Sequence, residues 1–486
     1  MVHPGIMAAA IAVALLGLAP PAQAQTNPEL DEIRQQIKEL KDSYESRIQA
    51  LEKRLKEAEE AAAKAQTAAA QAQSAATQTQ SAAAQTQASA PPAPPEPAQA
   101  SQQGSPNAFN PALSVILTGT YANFSQDPAK ASVTGFLSNA NTSDALGPRG
   151  FSLGESEVTL SSNIDHLFYG QATFAFEPDN TFSVEEAFAQ TTSLGYGLTI
   201  KGGRFFSAIG YENSVHPHAW DFVDPSLVQR VFLGDNYADD GVQASWIAPL
   251  PVFVEIGGSV GRGANPPGSN RDKNGVGAGT LFAHVGDDIG TGGSYRVGVS
   301  MLRTSTDGTG TSIADIDDRT GTTNRFVGDT QLYGLDFVYK WAPEGNPKYQ
   351  NFKLVGEWFQ QRRSGDLTFD ETGALGIGPT PEPFTLKQAG WYLQGVYQFH
   401  PEWRVGLRYD QLEEGSWNAG PVASANGVVR PDFTPRRYGA MVDWNPSEFS
   451  RLRLQFSQDK SQLGLTDNQI FLQYIFSLGT HGAHKF

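Results

Sequence analysis

The sequence predicts an all-β transmembrane fold: a sixteen-stranded antiparallel β-barrel, preceded by an N-terminal α-helical coiled coil. Three observations carry that expectation. Beyond residue 111, segments of about ten residues alternate apolar with small or polar side chains, the period-two pattern of strands that face lipid on one side. The connections between these segments sort by length, long and short in turn. Aromatic residues gather at one end of the strands.

Composition narrows the rest. There is no cysteine, which excludes a disulfide framework, a thiolate metal site and a Cys nucleophile. The formal net charge of −16 argues against nucleic acid as a partner, because phosphate binding needs concentrated Lys and Arg. Glycine, Phe and Tyr lie almost entirely after residue 104, whereas Ala and Gln dominate before it. The chain is therefore divided.

Residues 1–24 read as an export signal. The run 6–19 is apolar and short, and Ala22-Gln23-Ala24 offers small residues for cleavage before Gln25. Residues 25–62 read as a periplasmic coiled coil. Leu30, Ile33, Ile37, Leu40 and Tyr44 step by three and four, and Ile48, Leu51, Leu55 and Ala58 resume the stripe after a stutter. Such a narrow apolar stripe fits a partner helix, so this segment is expected to oligomerise the chain, and it is the part placed to contact the cell wall. Residues 63–111 are an Ala/Gln-rich and then Pro-rich linker, in which Pro91, Pro92, Pro94, Pro95 and Pro97 end any helix.

Residues 112–486 form the barrel. Strands are expected near 112–124, 153–164, 167–177, 182–194, 197–206, 240–248, 252–261 and 279–286. The second half continues near 293–304, 330–341, 351–363, 387–399, 402–413, 435–444, 449–459 and 468–478. Connections after odd-numbered strands are mostly long, such as 125–152, 207–239 and 305–329. Those after even-numbered strands are mostly short, such as Asp165-His166, Gly195-Tyr196 and His400-Pro401. Long external loops and short periplasmic turns produce that parity in an outer-membrane barrel. Trp246, Trp341, Trp403 and Trp444 fall at the short-turn ends and share parity with apolar rows, as an interfacial girdle would.

The opposite parity lines the lumen. It turns Arg296, Lys353, Arg404, Arg408, Arg437, Arg451 and Arg453 inward, a basic cluster on the C-terminal strands that would offer anionic solutes a path. Glu155, Glu157, Glu177 and Glu255 point inward elsewhere. The connection 207–239 differs from the other loops. It carries Glu212, His216, His218, Trp220, Asp221 and Arg230 beside the apolar run Leu227–Leu233, and a loop of that composition is expected to fold into the barrel and narrow it. His216, His218 and Asp221 are the residues of this loop that suit a divalent metal. Two His one residue apart are a weak signal, packing is the stronger reading, and neither metal nor cofactor is expected.

Several segments resemble the phosphate-selective porin O/P superfamily, in particular its coiled-coil-bearing, DcaP-like members. They are Glu186-Ala187-Phe188, Gly203-Arg204-Phe205-Phe206, Gly210-Tyr211-Glu212-Asn213, and the ending Gln473-Tyr474-Ile475-Phe476-Ser477-Leu478-Gly479 with terminal Phe486. The resemblance implies a trimeric sixteen-stranded porin, constricted by loops and passing small, often anionic solutes. Phosphate selectivity is not carried over, because the lumen is mixed and loop 207–239 has a single Arg and no Lys.

Gly257-Gly258-Ser259-Val260-Gly261 matches a nucleophile-elbow string but ends a strand with no helix after it. Glu185-Glu186 lies on a strand without a second constellation. No enzyme is expected. The expected role is a water-filled outer-membrane channel for passive diffusion of small hydrophilic solutes. Two rivals are a zinc- or chelate-related outer-membrane receptor and a structural envelope tether with a closed barrel.

Overall fold

Alternation along the strands closes the chain on itself. The computed structural model describes residues 111–136, 138–139, 147–177, 181–234, 236–269, 274–312 and 323–479, with Lys38, Lys41 and Lys56 as exposed helical residues. Apart from those lysines and Pro111, the expected signal peptide, coiled coil and linker lie outside the described residues.

The barrel staves, in chain order, begin with β1 (Ala112–Phe124), β2 (in two pieces, Gly150–Leu153 and Ser156–Asn163), β3 (Phe168–Phe176) and β4 (Phe182–Thr191). Then come β5 (Leu198–Phe206), β6 (Ala238–Ile247), β7 (Phe253–Gly261), β8 (Ala278–Ile289), β9 (Gly293–Ser312) and β10 (Arg325–Trp341). The last six are β11 (Asn351–Phe369), β12 (Thr380–His400), β13 (Trp403–Asn418), β14 (Arg436–Ser447), β15 (Ser450–Lys460) and β16 (Asp467–Gly479). Of 18 strand segments, two make up the broken stave β2 and one, Ser138–Asn139, pairs only with the end of β9, which leaves 16 staves.

Each stave pairs antiparallel with its neighbour in the chain. The ring closes where β1 meets β16, in register from Ser114↔Gly479 to Phe124↔Gln469. Closure satisfies every edge, the requirement for strands that cross hydrocarbon.

The outside of this ring is apolar. Leu335 and Phe337 on β10, Leu393 on β12, Val405 and Leu407 on β13, and Leu454 and Phe456 on β15 are all exposed, Leu407 to 70%. Their neighbours in sequence, such as Asp336, Gln394, Arg408 and Gln455, are buried inside. A water-soluble protein would put these apolar rows within, so the exterior suits lipid and the interior holds the polar core. Trp403 and Trp444 face each other across β13 and β14 with rings stacked 6.2 Å apart, beside exposed Trp246, Trp341 and Tyr397 at the short-turn ends.

β9 to β13 run beyond their expected ends. The added residues are rich in Thr, Ser, Gly and Pro, so apolar alternation fades while backbone pairing continues. Above the girdled section they enclose Phe326, Leu367, Phe369, Phe384 and Leu386, packed against Ala423 and Val428 around the short helix Pro421–Ala425.

Candidate constriction site

The connection between β5 and β6 folds into the barrel. It enters through Gly210, whose φ of +69° is left-handed and whose missing Cβ leaves room for the Glu357 carboxylate. That carboxylate accepts from the backbone N–H of Tyr211 at 2.6 Å and of Glu212 at 3.3 Å, and from the Tyr392 hydroxyl at 2.5 Å. One inward Glu on β11 therefore pins the start of the loop. Two 3-10 turns follow, Glu212–Ser214 and Pro217–Ala219, and then helix α1 (Leu227–Phe232). Ser226 caps α1 by accepting from Gln229 N–H, and Asp410 on β13 accepts from Leu227 N–H at 2.9 Å. Leu227, Val228, Phe232 and Leu233 pack with Ile209 and Tyr211 on inward Leu332, Val355, Phe359 and Leu412. Burial of this apolar run explains why the segment leaves solvent.

The loop brings its own carboxylates to the basic strands. Asp221 meets Lys353 at 2.8 Å and Arg404 at 3.4 Å. Burial alone would raise the Asp221 carboxyl, but those two cations hold it at about 2. Asp224 pairs with Arg408 at 3.1 Å and also with Arg437. Arg453 and Arg404 share Asp443 on β14, and Arg453 donates to the Trp220 carbonyl at 2.9 Å. Arg451 donates to the His218 carbonyl at 2.5 Å. Arg296 pairs with Asp336 at 3.1 Å and lies over the Tyr211 ring, and Arg230 of the loop reaches Asp459 at 3.6 Å. Each of the seven cations named from the sequence contacts this loop, which covers the cluster expected to guide anions.

Glu212 enters the same buried layer. Burial, reinforced by Glu357, pushes its carboxyl up to about 8, so it is neutral at pH 7.

Among the described residues, two cavities flank the loop, and one of about 310 Å³ reaches Lys130, Arg230, Asp459 and Gln469. The other, of about 380 Å³, is lined by Thr118, Glu155, Glu177, Glu185, Arg204 and His218, along the β1, β2, β4 and β5 wall. Here the sequence expectations need two corrections. His216 and His218 do not group with Asp221, which points to the opposite, basic wall. They meet strand carboxylates instead. His218 Nδ1 is 2.5 Å from Glu157, and His216 Nδ1 is 3.3 Å from Glu157 and 3.2 Å from Glu185. His216 Nε2 is 3.2 Å from Glu186.

Glu185-Glu186 therefore does have a second constellation. Successive residues normally face opposite sides of a strand, but the pairing of β3 with β4 slips between Thr173↔Glu186 and Phe174↔Val184. Glu185 is the extra residue of that bulge, and both carboxylates reach His216. Burial opposes charge on His216, yet Glu157, Glu185 and Glu186 more than offset it and hold the imidazole protonated well above its ordinary range. The adjacent Glu pair was the only signal of this in the sequence.

No family model matches the chain. An uncharacterised protein of Aquifex aeolicus (strain VF5) is 32% identical over 358 residues, 70% of each chain. This chain belongs to that protein's family. Among solved structures, the trimer form of OmpT, an outer membrane protein of Vibrio cholerae, aligns at a TM-score of 0.48 with 10% identity, over 76% of this chain and 99% of that one. The anion-selective porin from Comamonas acidovorans aligns at 0.43 with 13% identity, over 76% and 99%. The outer membrane channel DcaP of Acinetobacter baumannii aligns at 0.44 with 12% identity, over 76% and 97%.

Proposed function

We propose that the chain is an outer-membrane porin: a water-filled barrel through which small hydrophilic solutes diffuse passively, narrowed by loop 207–237. The observation that carries this reading is the loop itself. A closed barrel with a lipid-suited exterior needs only polar filling to be stable, whereas a segment threaded inward and anchored on β10 to β13 narrows the lumen and leaves a cavity of about 380 Å³ beside it, which we read as part of a passage. A tether would have no use for that passage.

Charge preference follows from which wall the passage touches. Lys353 and the arginines of β13 to β15 lie under the loop with paired carboxylates, while Glu155, Glu177 and Glu185 line the open side. The reading therefore favours cations over the anions that the basic strands alone imply. Outer-membrane placement is supported by the apolar belt, and assembly as a trimer by the three-four stepping of Leu30 to Ala58.

Reconstituting the purified mature chain in planar bilayers tests this. Discrete, ohmic conductance steps with a cation-favouring reversal potential in a salt gradient are expected. A silent bilayer, at protein densities where folding into lipid is verified, would reject the channel.

A further inference from the structure

The acidic wall and the two loop histidines form more than a hydrogen-bond network. Three ligand atoms from Glu157, His216 and His218 lie within 4.8 Å of one another, as do those of Glu155, Glu157 and Glu185. Ligands held tetrahedrally about 2.0–2.2 Å from zinc stand roughly 3.3–3.6 Å apart. His216 Nδ1 stands at that spacing from Glu157, at 3.3 Å, whereas His218 Nδ1, now in hydrogen-bond contact with Glu157 at 2.5 Å, must move away by roughly 1 Å to admit the ion.

The far side of the His216 ring is arranged in the same sense. Nε2 meets Glu186 at 3.2 Å. A ligating imidazole commonly donates its second N–H to a carboxylate, which fixes the ring and strengthens the ligand. Glu186 is itself anchored, accepting from Phe206 N–H at 3.1 Å.

Two further observations fit a cation at this place. Oε1 of Glu155 is shielded from solvent and has no hydrogen-bond partner. The carboxylates of Glu155, Glu157 and Glu185 crowd within 4.8 Å of one another, and among nearby cations Arg204 is committed to Asp240 at 2.7 Å. The cluster is also reachable, because Glu155, Glu185 and His218 border the open cavity.

From this geometry we propose that Glu157, His216 and His218 form a binding site for a zinc-class divalent cation on the wall of the passage. The ion takes the place of the proton at His216 Nδ1, which leaves to water, while Nε2–H stays on Glu186. The proton between His218 Nδ1 and Glu157 moves to His218 Nε2, so that His218 binds as a neutral imidazole. Glu155 and Glu185 balance its charge, and the lumen completes its coordination. Bound there, the ion ties loop 207–237 to β2. The inference goes beyond the channel reading and does not depend on conduction.

Equilibrium dialysis of the detergent-purified full chain against ZnCl2, with metal counted by mass spectrometry, tests it. Wild type should retain one zinc per chain that a hundredfold excess of MgCl2 does not displace. His218→Gln and His216→Gln should each weaken binding by at least tenfold, and Glu186→Gln, which removes only the orienting carboxylate, by roughly tenfold. Heat-modifiable gel migration confirms that each variant is folded. Equal zinc retention by wild type and both histidine variants would place the ion elsewhere and overturn the site, as would displacement by magnesium or no retention at all.

Discussion

Gly210 and Glu212 show how single residues hold the loop inside. At Gly210 a side chain would be strained twice, by the left-handed φ of +69° and by collision with the Glu357 carboxylate that anchors Tyr211 N–H. The backbone conformation alone costs an L-residue about 1–2 kcal/mol. Gly210→Ala should therefore loosen the entry to the loop. Arg230, buried on α1, reports on it. Trypsin should leave the folded wild-type barrel intact at this bond and cut the variant, and equal resistance of the two would show that Gly210 is not needed.

Glu212 adds a pH dependence of fixed sign. Its carboxyl is raised from 4.5 to about 8 by burial and by Glu357, so the packed loop favours the neutral form. That contribution is complete below the ordinary carboxyl range and is lost as pH rises through about 8, where ionisation must occur in the buried layer. Trypsin susceptibility at Arg230 should climb between pH 6 and pH 9 in wild type. Glu212→Gln, which cannot ionise, should flatten that rise.

At the scale of elements, loop 207–237 and strands β11 to β15 form one electrostatic unit. Asp221 and Asp224 carry negative charge from the loop to Lys353, Arg404, Arg408 and Arg437 on the wall. Replacing both with Asn would remove the carboxylate at Lys353 and leave Arg404, Arg408 and Arg437 only their strand partners Asp443, Asp410 and Asp459. The anion-to-cation permeability ratio from reversal potentials should then rise roughly sevenfold for about one kT of wall potential, which raises the anion and lowers the cation alike. An unchanged ratio would mean that the basic wall stays sealed from the passage whatever the loop's charge.

The same elements mark what could be read in the sequence. Strand order, inward parity and the packing of the apolar run Leu227–Leu233 follow from periodicity and hydrophobicity, which are local. The destination of each loop side chain is not local. Asp221 and His218 are three residues apart in sequence, yet His218 meets Glu157 and Asp221 meets Lys353, with the 3-10 turn Pro217–Ala219 ending in extended backbone at Trp220 between them. Likewise the convergence of Glu185 and Glu186 depends on a one-residue slip between β3 and β4, and nothing in the strand's own composition announces it.

For the whole molecule, stability rests on a sheet with no free edge and two solvents. The outer rows lose nothing by facing hydrocarbon, and inner charges such as Lys353, Arg408 and Arg453 are met by carboxylates of the loop or of the strands. A cation introduced on the two faces should therefore have unequal consequences. Leu407, 70% exposed on β13, lies four residues beyond the girdle residue Trp403, inside the apolar belt, and Arg there should cost up to about 2–4 kcal/mol of folding free energy in lipid. Thr120 on β1 borders the open cavity, where an Arg side chain reaches water and the acidic wall. Urea titration of each variant in lipid vesicles measures the difference, with a lower midpoint for Leu407→Arg and a midpoint near wild type for Thr120→Arg. Were the barrel a soluble protein, the order would reverse, since an exposed Leu407 would accept Arg freely in water.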